Sequence, residues 1–186
     1  PWHFPEEQVS VATDREAPYT LVQVVSKLPS PPMSTVGEYP RRIVESLYNG
    51  MLNERFLEMT RRPDAPFAQA GSGQGRIVRS KEVYQPQAIV PETGIERGLE
   101  ALLTEAERVA RHGFTASELE RQKANLLRGM ERAYAEREKF PSQQLAEEYI
   151  RNFLTDEPTP GIAFEYELYQ RILPGIRLDE VKALAR

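Results

Sequence analysis

The sequence has 186 residues, with 24 Lys and Arg against 28 Asp and Glu, and it contains no cysteine. A chain of this length can bury a sizeable core, and no apolar run of about 18 residues is present to span a membrane. The net charge of −4 argues against a nucleic-acid partner, because phosphate binding needs a basic footprint. The lack of cysteine excludes a disulfide framework, a zinc finger and a thiol nucleophile.

The two ends of the sequence suggest an excerpt from a longer polypeptide. The chain opens with Pro1-Trp2 and stops at Arg186, inside a stretch that resembles the start of a helix. No signal segment is visible, and no interior linker rich in Gly or Ser divides the chain. We therefore expect residues 1–186 to form one domain of a larger protein.

The first half of the chain predicts strands around a helix. Residues 9–14 and 19–28 predict a hairpin whose second strand is buried on most of both faces, because it is rich in β-branched residues. Apolar residues at helical spacing predict a helix over 36–61. Residues 67–75 and 77–90 predict a second hairpin.

The second half predicts four helices, each with an apolar face. They begin near residues 95, 116, 142 and 160, and the third has Leu145, Tyr149, Ile150 and Phe153 as its apolar positions. Two hairpins interleaved with helices, in the order ββαββαααα, favour an α+β two-layer sandwich with an antiparallel sheet covered on one face by helices.

Helix ends carry local signals. Thr115 and Glu118 form a capping-box pattern, with Phe114 and Leu119 placed as a hydrophobic staple. Thr93 and Glu96 show the same box, and Gly113 is placed to terminate the preceding helix. Thr159-Pro160 predicts a further N-cap followed by proline at the first helical position.

His3-Phe-Pro-Glu6-Glu7 is the one stretch near a metal motif. The inverted zinc motif His-x-x-Glu-His places both imidazoles and the glutamate on one helical face. Here Glu7 replaces the second histidine, and Pro5 would break the helical turn. We interpret the stretch as an entry loop.

Gly71-Ser-Gly73-Gln-Gly75 superficially resembles a phosphate-binding loop. That chemistry needs glycines that open a helix, whereas a strand-like segment follows here. The three glycines would share one strand face, and we expect something to pack closely against it.

Charged residues offer no distinct site. The basic pairs Arg41-Arg42, Arg61-Arg62 and Arg76/Arg79 are scattered among glutamates, so we interpret them as solvated. The charged face of helix 116–140, with the Arg132/Glu136 pair, is either solvated or a partner-binding surface. His112 suits a helix C-terminus, and no Gly-x-Ser-x-Gly elbow is present. We assign no catalytic, cofactor-binding or metal-binding residue.

Four ordered segments together resemble the inactive, C-terminal-type domain of pitrilysin/insulinase-family zinc metallopeptidases. They are VSVATD at 9–14, RIVESLYNGMLNERF at 42–56, GLEALLTEAERVARHGFTASELERQK at 98–123 and AEEYIRNFL at 146–154. The resemblance is a long, loosely defined pattern and not a short strict motif, and it covers nearly the whole chain.

The resemblance implies a scaffolding role in a larger peptidase. Such domains surround an enclosed chamber, and zinc is held in a different domain by His-x-x-Glu-His and a later Glu. None of those residues has a match here, so the resemblance implies no zinc in this fragment. It implies other domains of the same chain and a peptide substrate as partners, no nucleic acid or membrane, a possible homo-oligomer, and a bacterial periplasmic or envelope location. A stand-alone docking module without protease activity is the alternative.

Overall fold

The computed structural model describes residues 8–29, 36–78, 80–155 and 157–185. Their elements, in chain order, are β1 (Thr20–Gln23), β2 (Ser26–Pro29), α1 (Tyr39–Thr60), β3 (Gln69–Val78), β4 (Lys81–Val90), α2 (Ile95–His112), α3 (Ala116–Ala135), α4 (Ser142–Thr155), α5 (Ile162–Ile172) and the short α6 (Leu178–Lys182).

Strand β4 is the centre of an antiparallel sheet. β3 pairs along one edge of β4, from Gln69 opposite Ile89 onward, while β1 and β2 share the other edge in succession. Helices α1 and α2 pack against the sheet. The predicted α+β sandwich and its element order are confirmed, and α6 lies in the final stretch that resembles the start of a helix.

The predicted first hairpin is wrong. Residues 9–14 form no strand, and both β1 and β2 come from the single segment predicted at 19–28. The interruption between β1 and β2 lies opposite Pro86, whose carbonyl accepts a hydrogen bond from Val24 N–H at 2.9 Å. Because proline has no N–H to return, the ladder breaks there.

The segment containing β1 and β2 is also less buried than predicted. Val22 is its only buried residue, while Leu21 and Val25 are exposed. The β-branched composition was read as burial on both faces, but helices cover only one face of this sheet. An antiparallel sheet commonly leaves its other face open.

The second hairpin is confirmed, but its turn lies later than predicted. β3 continues to Val78, with a register irregularity between Arg76 and Val78, and β4 begins at Lys81. The predicted break at Gly75 is absent because glycine within a strand need not end it.

Helix α1 supplies much of the core, as its spacing predicts. Ile43, Leu47, Met51, Leu52 and Phe56 are almost entirely buried. The Phe56 ring meets Phe67 edge-on, with ring centroids 6.1 Å apart. Burying side chains of this size contributes about 1.5–3 kcal/mol each.

The outer edge of β3 is partly occupied by a side chain from α1. Asn53 Oδ1 accepts a hydrogen bond from Ser72 N–H at 2.6 Å, and Asn53 Nδ2 donates to the Ser72 carbonyl at 3.1 Å. One amide therefore satisfies two backbone groups of the kind that a neighbouring strand would pair.

Helix caps agree with the sequence in two cases of four. Thr115 caps α3 with the full box to Glu118, and Gly113 ends α2 with a φ of 73°. Thr93 lies in a 3-10 turn without a capping bond, because α2 begins one residue after Gly94. Helix α5 begins after Gly161 rather than after Thr159.

Helix α3 is shorter than the predicted 116–140, and α4 is oriented differently from the prediction. A 3-10 turn over Arg137–Lys139 follows α3, and Phe140 is extended because it precedes Pro141. The predicted bounds of α4 are nearly right. However, its apolar face does not point inward, and none of its residues is buried.

Candidate functional site

The histidines bring no ligands together in the described part of the chain. The segment His3–Glu7 lies outside the described residues. His112 is exposed at the end of α2. Among residues 8–29, 36–78, 80–155 and 157–185, no group of three or more His, Cys, Asp or Glu could hold a metal ion. No helix in those ranges is long and apolar enough to cross a bilayer.

The glycine strip lies on the open face of the sheet. Ser72 and Gln74 bond to α1, so the alternating glycines point the opposite way. A Cβ added at Gly73 or Gly75 would meet nothing within 4 Å. The predicted close packing is therefore wrong at these two positions.

This open sheet face is flat and polar. Gly71, Gly73 and Gly75 line a shallow depression of about 290 Å³ together with Gln85 and Gln87. Gln85 Nε2 donates to Gln23 Oε1 at 2.8 Å and to Gln87 Oε1 at 3.0 Å. The depression offers amide donors and acceptors beside one apolar side chain, that of Val83.

A larger groove of about 640 Å³ lies between the start of α1, the β3/β4 hairpin and the end of α4. Its lining includes Arg41, Glu45 and Glu82. Arg41 lies 3.5 Å from Glu45 and 3.9 Å from Glu82, and Gln74 bonds to both carboxylates at 3.3 Å. Burial raises the pKa of Glu45, and Arg41 partly offsets this. The balanced charges are typical of a structural junction rather than of an anion site.

Of the other predicted basic pairs, one stays apart and the other contributes one residue to the groove. Arg61 and Arg62 are exposed at the end of α1. Arg76 lines the groove with Arg41 and Arg42. Arg79 lies outside the described residues.

On α3, Glu131 and Arg132 are exposed. This fits a solvated face, although an exposed face also remains open to a partner.

Arg55 on α1 organises a polar network that sequence reasoning missed. Its Nε lies 2.7 Å from Glu118 Oε1, its Nη2 lies 3.0 Å from Glu118 Oε2, and its Nη1 lies 3.0 Å from Glu105 Oε1. Nη2 also donates to the Gly113 carbonyl at 3.2 Å, and the guanidinium stands 4.8 Å from the centre of the Phe114 ring. The network joins α1, α2 and the start of α3.

Glu118 serves both as helix cap and as ion-pair partner. Burial alone would raise its pKa, but hydrogen bonds from Arg55 and Thr115 outweigh burial and lower the pKa to about 2. Each group of the network is bonded to another part of the chain, so the arrangement holds helices together rather than waiting for a substrate.

The chain is similar to known peptidase proteins, although no family model matches it. It is 28% identical over 176 residues to a zinc protease PQQL-like protein of Arabidopsis thaliana. The match covers 95% of this chain and 16% of that protein.

Two solved structures share the fold. One is the first half of the periplasmic protease PqqL from Escherichia coli, with a TM-score of 0.84, 16% identity, and coverage of 92% of this chain and 37% of that one. The other is a peptidase M16 inactive domain from Pseudomonas fluorescens, with a TM-score of 0.59, 13% identity, and coverage of 90% and 37%. The resemblance to an inactive domain of insulinase-family peptidases is confirmed.

The similarity to insulinase-family proteins concerns one part of longer chains. This chain spans about a sixth of the curated relative and little more than a third of each of the two structures. At identities of 16% and 13%, the two structures show that the fold is shared.

Proposed function

We propose that this chain is the non-catalytic domain of a zinc metalloendopeptidase, in which it packs against the zinc-bearing domain and lines the peptide-binding chamber. The observation that carries the proposal is the one-sided construction of the fold. Helices α1 and α2 pack against one face of the sheet, whereas the other face and the apolar side of α4 remain uncovered. Surfaces of this kind suit a domain that works among other domains.

The open sheet face supports the chamber-lining role. Gly73 and Gly75 leave room for an extended backbone to approach, and Gln85 and Gln87 offer amide groups to it. Such contacts can be made to the backbone of any peptide, so they suit a chamber surface that binds peptides of many different sequences. Catalysis is then the task of another domain of the same chain, which would also hold the zinc.

The parent gene and protein provide the first test. We expect a His-x-x-Glu-His motif about 150–200 residues before Pro1, a spacing inferred from the length of one domain. The purified full-length protein should contain zinc and cleave a fluorogenic peptide until EDTA is added. A parent without that motif, or with EDTA-insensitive cleavage, contradicts the proposal.

A pair of matched glycine variants tests whether the open sheet face contacts the peptide. Gly73→Arg in the full-length protein should raise the KM for long peptides severalfold without changing the zinc content, because a long side chain would fill the depression. Gly129→Arg is the control, since Gly129 is also exposed with nothing within 4 Å but lies on α3. Equal KM values for the two variants would argue against peptide contact at this face.

The alternative function is a stand-alone docking module with no protease activity. The exposed apolar side of α4 favours it, and a parent chain without a zinc motif would select it. For location, we propose the bacterial periplasm or cell envelope, because one similar structure is that of a periplasmic protease. Fractionation of cells that produce the full-length protein tests this location.

A further inference from the structure

Helix α4 turns its apolar side away from the rest of the described chain. Leu145, Tyr149 and Phe153 recur at i, i+4 and i+8, and Ile150 and Leu154 lie beside them. These five residues, the α4 patch, are exposed by 43%, 65%, 86%, 55% and 48% in that order. In an ordinary surface helix this side would face the core.

The polar side of α4 is the one that meets the protein. Glu148 and Thr155 are half-buried, whereas the other residues of the helix are exposed. Arg151 and Thr155 line the groove, and Arg151 lies 3.4 Å from Glu157. Glu148 lies near Glu165 of α5. Burial raises the pKa of Glu165, and repulsion from Glu148 raises it further. Arg151 and Thr155 therefore face the groove, and the apolar patch is left outward.

We propose that the α4 patch is the docking surface for a neighbouring domain of the same polypeptide. This inference rests on the proposed function, because it assumes a longer parent chain. With about 200 Å² for each fully exposed large side chain, the patch leaves roughly 600 Å² of apolar surface, at the upper limit for monomers. It supplies most of the roughly 800 Å² that each partner contributes to a standard interface.

The length of a chain with the same fold and the charges of α4 favour a neighbouring domain as the partner of the α4 patch, over a lipid surface or a second copy. The E. coli structure that shares the fold contains nearly two-thirds of a chain beyond the matched part, so an adjoining domain is present there. A lipid surface needs a basic polar side on the helix, whereas α4 has one arginine against Glu147 and Glu148. The aromatic residues Tyr149 and Phe153 are of the kind that anchor protein interfaces.

Thiol labelling of the full-length parent tests this docking. These 186 residues contain no cysteine. After proteolysis, the peptide that contains position 153 therefore carries a single thiol in Phe153→Cys. Asp64→Cys is the matched control, because the Asp64 side chain is 84% exposed and lies far from α4 in the sequence. Labelling by N-ethylmaleimide is followed by mass spectrometry of the two peptides, and the rates in denaturant provide the unprotected reference.

We expect the thiol at position 153 to react at least tenfold more slowly than the thiol at position 64, at every protein concentration. Tyr149→Cys should be protected in the same way, which keeps the test valid if one variant folds poorly. Equal rates would overturn the proposal. Protection that is lost on dilution would assign the patch to a second copy, and protection only on anionic vesicles would assign it to lipid; either result overturns it.

Zinc content and peptide cleavage are measured on the same samples. Zinc-dependent cleavage with an unprotected patch leaves the proposed function standing and removes the docking surface. A protected patch in a protein without zinc removes the protease role and leaves the docking surface.

Discussion

Neutralising Glu118 should weaken the fold by an amount that depends on pH. The folded protein lowers the pKa of this carboxyl from 4.5 to about 2, although burial opposes the change. Each unit of difference is worth about 1.4 kcal/mol, so the ionised group contributes at most about 3 kcal/mol at neutral pH. Glu118→Gln keeps the size and removes the charge, and Arg55 retains Glu105 as a partner.

Because the folded protein lowers the pKa of Glu118, the stabilisation that this carboxylate provides decreases as the pH falls. The contribution of Glu118 to the free energy of unfolding is fully present well above pH 4.5, the pKa of the carboxyl in the unfolded chain. It decreases as the pH falls towards 2, the pKa in the folded protein. The difference in unfolding free energy between the parent sequence and Glu118→Gln should therefore be at most about 3 kcal/mol at pH 7, and near pH 3 it should fall to about half its value at pH 7.

Urea unfolding followed by far-UV circular dichroism at both pH values measures this difference. Glu120→Gln is the control, because Glu120 lies on the same helix with 70% of its side chain exposed and bonds only to Lys123. Its effect should stay below about 0.5 kcal/mol. A Glu118→Gln effect that is equally small at pH 7, or unchanged at pH 3, would refute the role assigned to Arg55.

Four further substitutions test close packing and backbone conformation, each by urea unfolding. Gly113→Ala should destabilise by about 1–3 kcal/mol, because φ is 73° with ψ −160°, a region essentially limited to glycine; Gly129→Ala, in open space on α3, should instead stabilise by about 0.5–1 kcal/mol. Gly98→Ala should cost about 1–3 kcal/mol, since its Cβ would lie 2.3 Å from Val90 Cγ1, and adding Val90→Ala should recover part of that loss. Phe56→Ala should cost about 3–5 kcal/mol, because Phe56 is fully buried; a loss below 1 kcal/mol would contradict its place in the core.

Local patterns in the sequence identified the elements that depend on their own residues. The spacing of apolar residues in α1 and the Thr115 box of α3 act over a few positions, so they could be predicted directly. The break between β1 and β2 could not, because its cause is Pro86, about 60 residues further along the chain.

The functional surfaces were harder to predict than the elements. The apolar positions of α4 were recognised, but a helical pattern does not tell which side meets the protein. That choice depends on what lies near the helix in space, and here Arg151 and Thr155 line the groove. Arg55 carried no signal at all, because its partners Glu105 and Glu118 lie on other helices; only the cap role of Glu118 was visible.

The side-chain amide of Asn53 has a consequence for how copies of this protein behave at high concentration. β3 runs for ten residues along the outer edge of the sheet, and an edge strand of that length is a potential template for pairing with another chain. Because Asn53 already holds the backbone of Ser72 near the midpoint, a strand from another molecule could join only the short stretches on either side. A single asparagine in a helix thus limits strand pairing at this edge of the folded protein.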